Sequence, residues 1–354
     1  MAEMSPRERV MAALDHRETD RIPIAMVCGG INPPAMKALD DFLKKDRGMD
    51  AKSYIDSFLD VDEAWVTGDF DQELDMWGVV RKAVSYGEGS YSEIVHHPLR
   101  DKATLQEMRQ YSFPRVRDLE VDEAVEQILQ LRKSSHRAIV LANANLFETS
   151  WYMRGFEQAF QDMMLQPDLI HFIMDTVTTF FTDYFHAILK RCRGAVDMVF
   201  TADDIGHQDG LLLSLDMWEE FIKPYHVRIN DMIHEMGVKV IYHTDGAVSE
   251  AVPGLMDVGI DVLQALQFSA AQMDPSHLKD TFGKELCFEG GMCVQKVLPF
   301  GKPVEVREET RRLISILGKE GGYLCGPSHF IQAGTPPENI AAFFDEAQAF
   351  YPFR

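Results

Sequence analysis

The sequence predicts a single (β/α)8 barrel with an N-terminal helical extension and a small β excursion, one domain over residues 1–354. Two observations carry that prediction. Eight short apolar runs, each followed by a helical pattern, alternate along one uninterrupted chain, which argues for a parallel sheet. The clearest run, residues 238–246, is apolar without alternation, as a strand covered on both faces is, and it ends in His243-Thr244-Asp245-Gly246. Length alone would allow two domains, but α/β barrels of this size are ordinarily one. No repeat, low-complexity tract or Ser/Gly linker divides the chain, and no Gly-x-Gly-x-x-Gly turn opens the first helix as a dinucleotide-binding fold requires.

In order, Ser5-Pro6-Arg7-Glu8 predicts a helix start, with Ser5 as N-cap and Glu8 closing a capping box. Residues 20–27 form the first strand, ending in Cys28-Gly29-Gly30, and residues 58–65 a weaker second one. Residues 77–80 and 91–95 flank a Gly-rich turn and predict the two-stranded excursion. Polar-faced helices follow over 101–111 and 122–133. The rhythm then becomes regular: strand 138–143, helices 151–164 and 168–192, strand 197–202, helix 217–236 stopped by Gly237. Strand 238–243, a short helix over 251–256, and strands at 261–266, 286–289 and 322–325 come next. Thr335-Pro336-Pro337-Glu338 repeats the capping-box pattern for a final helix.

A formal charge of −21, spread along the chain rather than gathered in a tail, speaks against nucleic acid or an anionic membrane as partner. Five cysteines without framework spacing predict a reduced, cytoplasmic protein. No signal pattern and no run of about 18 apolar residues marks the chain for a membrane.

Polar groups collect at the strand ends. Asn143 and Asn145 end one strand, Asp203 and Asp204 the next, His243 and Asp245 the next; Gln264 and Gln267, then Glu289, then Cys325 and His329 follow. Barrel sites are built at the carboxyl ends of strands, so six such ends in succession predict one. His243, Asp245, Glu289, Cys325 and His329 are all donors that zinc accepts. The plainer alternative makes Cys325 a small core residue and Glu289 a loop carboxylate. Asp203 and Asp204 are candidates for handling a proton; adjacent strand residues point opposite ways, so only one of them faces the site. Asn143, Asn145, Gln264, Gln267 and the aromatic Phe147 and Trp151 are candidate substrate-binding residues, although aromatics there also read as packing. His207 and Asp209 read as loop surface, and His96-His97 as no part of the chemistry.

The run from Met4 through Ser5-Pro6-Arg7-Glu8-Arg9-Val10 to Leu14, then Asp20-Arg21-Ile22-Pro23, resembles the N-terminus of the uroporphyrinogen decarboxylase superfamily. So do Asp75-Met76-Trp77-Gly78, Arg154-Gly155-Phe156-Glu157, Ala202-Asp203-Asp204-Ile205-Gly206 and Phe221-Ile222-Lys223-Pro224-Tyr225. The most specific stretch is Gly326-Pro327-Ser328-His329, continuing through Gly334-Thr335-Pro336-Pro337 to Asn339. The resemblance covers essentially the whole chain and implies a (β/α)8 barrel.

That superfamily contains decarboxylases and methyltransferases. The decarboxylases carry Arg-Gln-Ala-Gly-Arg-Tyr after the first strand, whose arginines hold porphyrinogen carboxylates; here the segment is Met26-Val27-Cys28-Gly29-Gly30-Ile31-Asn32-Pro33, without arginine. His329 matches a site histidine of the decarboxylases, which keeps a metal-independent lyase of tetrapyrrole metabolism, using Asp203, His243 and His329 for proton transfer, as the alternative. The methyltransferases hold zinc with a His-x-Cys pair and a later cysteine. By position His243 matches the histidine, Asp245 the first cysteine and His329 the second. The resemblance thus implies a zinc site with both thiolates replaced, held by His243, Asp245 and His329 with Glu289 or Cys325 in addition. Harder ligands leave more positive charge on the metal and favour oxygen substrates. The expected activity is methyl transfer from a small, oxygen-linked (methoxylated) donor to a corrinoid, a cobalamin-type cofactor carried by a separate protein. The leaving group would be protonated by Asp203 or Asp204. The identity of the donor is open, as is whether the protein forms a homodimer.

Overall fold

A computed structural model describes residues 3–66, 73–85 and 89–353. The strands are β1 (Val61–Trp65), β2 (Val80–Ser85), β3 (Ser90–His96), β4 (Ala138–Asn145), β5 (Met198–Ala202), β6 (Lys239–His243), β7 (Val262–Gln264), β8 (Cys287–Met292) and β9 (Tyr323–Pro327). All but β2 and β3 form one curled parallel sheet in the order β1-β4-β5-β6-β7-β8-β9. β2 and β3 make the separate antiparallel excursion. The eighth stave predicted at residues 20–27 is not a regular strand. It lies between β9 and β1, pairs with β9 through the single bridge Ile24–Cys325, and accepts from the Asp60 amide through the Ile24 carbonyl at 2.8 Å. Pro23 has no N–H to offer a ladder, so this stave is held largely by side chains.

Period-two geometry decides what fills the lumen. Val27, Val61, Val140, Met198, Phe200, Ala202, Ile241, Val262, Cys287 and Leu324 form an apolar inner core, separate from the larger core between sheet and helices. Two residues beyond an inward position lies the next inward one. Glu63, Asp204, His243, Gln264 and Glu289 therefore continue the inner rows of β1, β5, β6, β7 and β8. Apolar layers lie below and a layer of polar and ionisable side chains above.

The opposite end carries a repeated clamp. Asp60, Asp197 and Asp261 each precede a strand, and each accepts the backbone amide of a residue in the preceding stave: Ile24 at 2.8 Å, Ile139 at 2.9 Å and Val240 at 2.8 Å. Each carboxylate is also paired with cations, Arg9 and Arg21 for Asp60, Arg7 and Arg132 for Asp197, Lys239 and His234 for Asp261. Charge at this end serves stability rather than chemistry.

The helices depart from expectation where backbone chemistry interrupts them. The helix predicted over 151–164 is two, Leu146–Arg154 and Phe156–Leu165, broken at Gly155 with φ 93°. That over 217–236 divides into Leu215–Phe221 and Lys223–Glu235, with Pro224 in the first turn of the second. The Ser5 capping box is present. At the last helix, Pro337–Ala349, the N-cap is Pro336 and no side-chain cap forms; the Thr335 hydroxyl is buried without a partner. In the excursion the first strand begins at Val80, where the expected one ended, because residues 75–78 turn around the Asp75 carboxylate. Among the described residues no helix is long and apolar enough to cross a membrane.

Candidate metal centre at the barrel mouth

His243 ends β6, is almost wholly buried, and is oriented from behind. Its Nδ1 lies in a short hydrogen bond with Oε1 of Gln264, whose Nε2 donates to the Val27 carbonyl at 2.7 Å. Because the Gln264 amide nitrogen is committed to Val27, its oxygen must face the imidazole, and Nδ1 must carry the proton. Nε2 is thereby left as a lone pair aimed at the mouth, the state in which histidine binds metal.

Asp245 is delivered by the turn that follows. Gly246 has φ 88°, and a Cβ there would stand 2.6 Å from the Gly206–His207 backbone. The Gly246 amide donates to Oε1 of Gln267 at 3.0 Å, and the Asp245 amide to Oδ1 of Asp204 at 2.8 Å. From the loop after β9, His329 places Nε2 3.9 Å from Oδ2 of Asp245, and its ring centroid lies 5.8 Å from that of His243. Nε2 of His243 is 3.7 Å from Oδ1 of Asp204. Burial raises the Asp245 carboxyl pKa despite nearby His243, and burial lowers that of His329. Ligand-type atoms of Asp204, His243 and Asp245 lie within 4.8 Å of one another, and so do those of Cys28, His243 and His329. The two groups share His243, and their imidazole nitrogens, carboxylate oxygens and thiol are donors of the kinds that zinc takes.

Beside this group lies a cluster of buried carboxyls. Glu148 accepts from Asn145 Nδ2 at 2.7 Å and from the Tyr152 hydroxyl at 2.8 Å. Burial, with Asp204 and Asp203 nearby, pushes its pKa up to about 8. Glu63 accepts the Cys28 amide at 2.9 Å and is pushed up to about 7 by burial. Burial and the surrounding carboxylates hold the Cys28 thiol well above the usual range.

Of the residues proposed from sequence, His243, Asp245, His329 and Asp204 meet at the mouth. Asp203 does not, since it points outward. It accepts the Phe147 and Glu148 amides at 2.8 Å each and sits 2.6 Å from Nε2 of His226, anchoring the helix Leu146–Arg154. Glu289 and Cys325 also lie outside the metal group. Glu289 faces the lumen, fully buried, with Oε1 accepting the Val27 amide at 3.3 Å. Cys325 is outward because Leu324 occupies the inward position, and it packs in the outer core. Gln264 braces His243 and Gln267 braces the Gly246 turn, so neither amide is free for a ligand on the side it uses. Asn143 donates to Asn145 at 2.8 Å. Phe147 is buried against Phe160, while Trp151 lines an outer groove of about 470 Å³ with Tyr152, Phe156 and Arg81. His207 and Asp209 are exposed. Sequence reasoning missed Cys28, Glu63 and Glu148. The signals available were the position of Cys28 at the end of the first stave and of Glu148 three residues past Asn145.

A cavity of about 240 Å³ opens beside the metal group, lined by Asp245, Gln267, Gln295, Ser328, His329 and Phe330. Compared with known proteins, residues 5–350 match the family described as uroporphyrinogen decarboxylase (URO-D). The chain belongs to the uroporphyrinogen decarboxylase family. It is 27% identical over 197 residues to a methylated-thiol–coenzyme M methyltransferase of Methanosarcina mazei, an alignment covering 56% of this chain and 49% of that protein. It is 30% identical over 132 residues to a uroporphyrinogen decarboxylase of an Anaeromyxobacter species, covering 37% of this chain and 36% of that one. The chain thus spans half or less of these two curated relatives. It is 19% identical over 346 residues to the methylcobamide:CoM methyltransferase MtbA of Methanosarcina acetivorans, covering 96% of each. A solved methyltransferase from Methanosarcina mazei shares the fold at TM-score 0.70 and 16% identity, over 98% of this chain and 99% of that one.

Proposed function

We propose that this member of the family is a metal-dependent methyltransferase that moves a methyl group from an oxygen-linked, methoxylated small molecule to a corrinoid carried by a separate protein. The observation that carries the reading is that His243, already in its metal-binding tautomer, is shared by two donor groups, one with Asp245 and Asp204 and one with His329 and Cys28, and that His329 lies 3.9 Å from Asp245. Zinc bound there would act as a Lewis acid toward the donor oxygen, favouring departure of the methyl group. The broken C–O bond leaves its electron pair on oxygen, which takes up a proton to become a hydroxyl. Asp204 faces the mouth, and Glu148, protonated near neutral pH because it is buried, is the proton reserve behind it. Gln264 holds His243, and Gln267 with Gly246 holds Asp245.

Resemblance to methyltransferases whose names include coenzyme M and methylcobamide supports methyl transfer. The decarboxylase alternative needs cations to hold several carboxylates. Four carboxyl groups, Glu63, Asp245, Asp204 and Glu148, act on Cys28 at the mouth, a lining that disfavours such a substrate. Elemental analysis of the purified protein and of His243→Ala tests the reading: metal in the first and its loss in the second are expected, and a metal-free protein with full methyl-transfer activity overturns it.

A further inference from the structure

We propose that Cys28 supplies a sulfur ligand to this metal, so that the centre is completed from the stave that closes the barrel. The inference deepens the metal-dependent reading above and rests on it. With both family thiolate positions occupied by Asp245 and His329, Cys28 brings one sulfur back from a different strand.

The Cys28 sulfur and one nitrogen each of His243 and His329 lie mutually within 4.8 Å. Zinc bonds of roughly 2.0–2.3 Å put tetrahedral ligand atoms some 3–4 Å apart, so small side-chain movements would close this group on an ion.

Much of the lumen is devoted to presenting Cys28. The stave has one bridge to β9, yet three side chains of the lumen grip its last two residues. Glu289 takes the Val27 amide at 3.3 Å, Gln264 donates to the Val27 carbonyl at 2.7 Å, and Glu63 takes the Cys28 amide at 2.9 Å. Cys28 itself is held at φ 49°, a left-handed conformation that a non-glycine residue keeps only when its surroundings impose it. Gln264 grips both this stave and His243, so one amide sets two ligands that come from opposite sides of the mouth.

The other four cysteines lie elsewhere. Cys325 faces the helices, Cys192 lies against the Val125 carbonyl in the outer core, and Cys287 sits at the far end of the lumen 3.4 Å from Nε2 of His16. Cys293 is half-buried and belongs to no metal-type group among the described residues. Two nitrogens and a sulfur select zinc or a similar borderline cation, because magnesium and calcium take oxygen donors.

Titration of metal-free protein with Co2+, followed by absorption, tests this. Expected are visible ligand-field bands together with a near-ultraviolet sulfur-to-metal charge-transfer band. The charge-transfer band is lost in Cys28→Ser and kept in Cys293→Ser, while the visible bands persist in both. Cobalt binding without a charge-transfer band, or with one that Cys28→Ser retains, overturns the sulfur ligand and leaves the His243-centred metal site standing. If Cys28→Ser folds poorly, the wild-type and Cys293→Ser spectra still decide: no charge-transfer band in the first, or its loss in the second, overturns the assignment. Failure to bind either Co2+ or Zn2+ overturns the metal-dependent reading and this inference together.

Discussion

The imidazole of His243 and the carboxamide of Gln264 are locked to each other: Nδ1 of the histidine donates to Oε1 of the glutamine, whose nitrogen is spent on Val27. The pair converts a buried strand-end histidine into a directed lone pair. Replacing Gln264 by Leu frees the ring and its tautomer while keeping an apolar side chain of similar size. Metal affinity should fall by about 10–100-fold, the usual cost of losing a partner behind a metal-bound histidine. Competition with a chromophoric chelator measures it, and an unchanged affinity contradicts the role given to Gln264.

Asp203 and Asp204 are neighbours with opposite tasks. Asp203 is fully buried between two helix amides and His226, so Asp203→Ala leaves an imidazole and two N–H groups unmet and should cost about 3–5 kcal/mol of stability. Asp204 is half-exposed at the mouth, and Asp204→Asn should leave stability within about 0.5 kcal/mol while lowering methyl transfer. Denaturant unfolding of the two variants separates them. Equal losses of stability would mean that the parity argument is wrong.

The two carboxylates show how far sequence reading reaches. Period two states that one of the pair faces inward, but only the inner row Phe200, Ala202, Asp204 shows which one. Cys325 is the same problem with the opposite outcome: a plausible ligand by type and position, turned outward because Leu324 faces the lumen. The alternation of strands and helices, and the polar strand ends, were legible because burial on both faces imposes them on composition. Cys28 was not, since its stave makes almost no ladder and its importance comes from three side chains that are remote in sequence. Glu148 was hidden for a similar reason: a helix first turn ordinarily carries an acidic residue for the dipole alone.

Glu148 makes stability depend on pH with a definite sign. Its folded pKa, about 8, lies above the ordinary value of 4.5, so the folded state holds the proton more tightly than the unfolded chain. Its stabilising contribution is complete below pH 4.5 and is lost as pH rises through about 8. Glu148→Gln should therefore flatten the fall in stability across this window by something on the order of 4–5 kcal/mol. Melting curves of both proteins at pH 5 and pH 9 read it directly, and parallel pH profiles would contradict a neutral Glu148.

At the far end of the lumen, Asp60 ties the closing stave to β1 through Arg9, Arg21 and the Ile24 amide. Asp60→Ala takes one of two carboxylate partners from the buried Arg9, which keeps Asp20, and leaves the Ile24 amide unmet, and should lower stability by about 1–3 kcal/mol. Because Cys28 lies at the other end of the same stave, metal binding should recover part of that loss. Unfolding with and without zinc measures the recovery, and none is expected if the stave does not carry a ligand.

The most direct test of methyl transfer is to follow the absorbance of cob(I)alamin, offered as free acceptor, with zinc-loaded protein and a panel of methoxylated and methylated donors. The account predicts conversion to methylcobalamin with a methoxylated donor, lost on zinc removal and in His243→Ala. Conversion that is indifferent to zinc and to His243, or the absence of any conversion alongside decarboxylation of uroporphyrinogen, would contradict it.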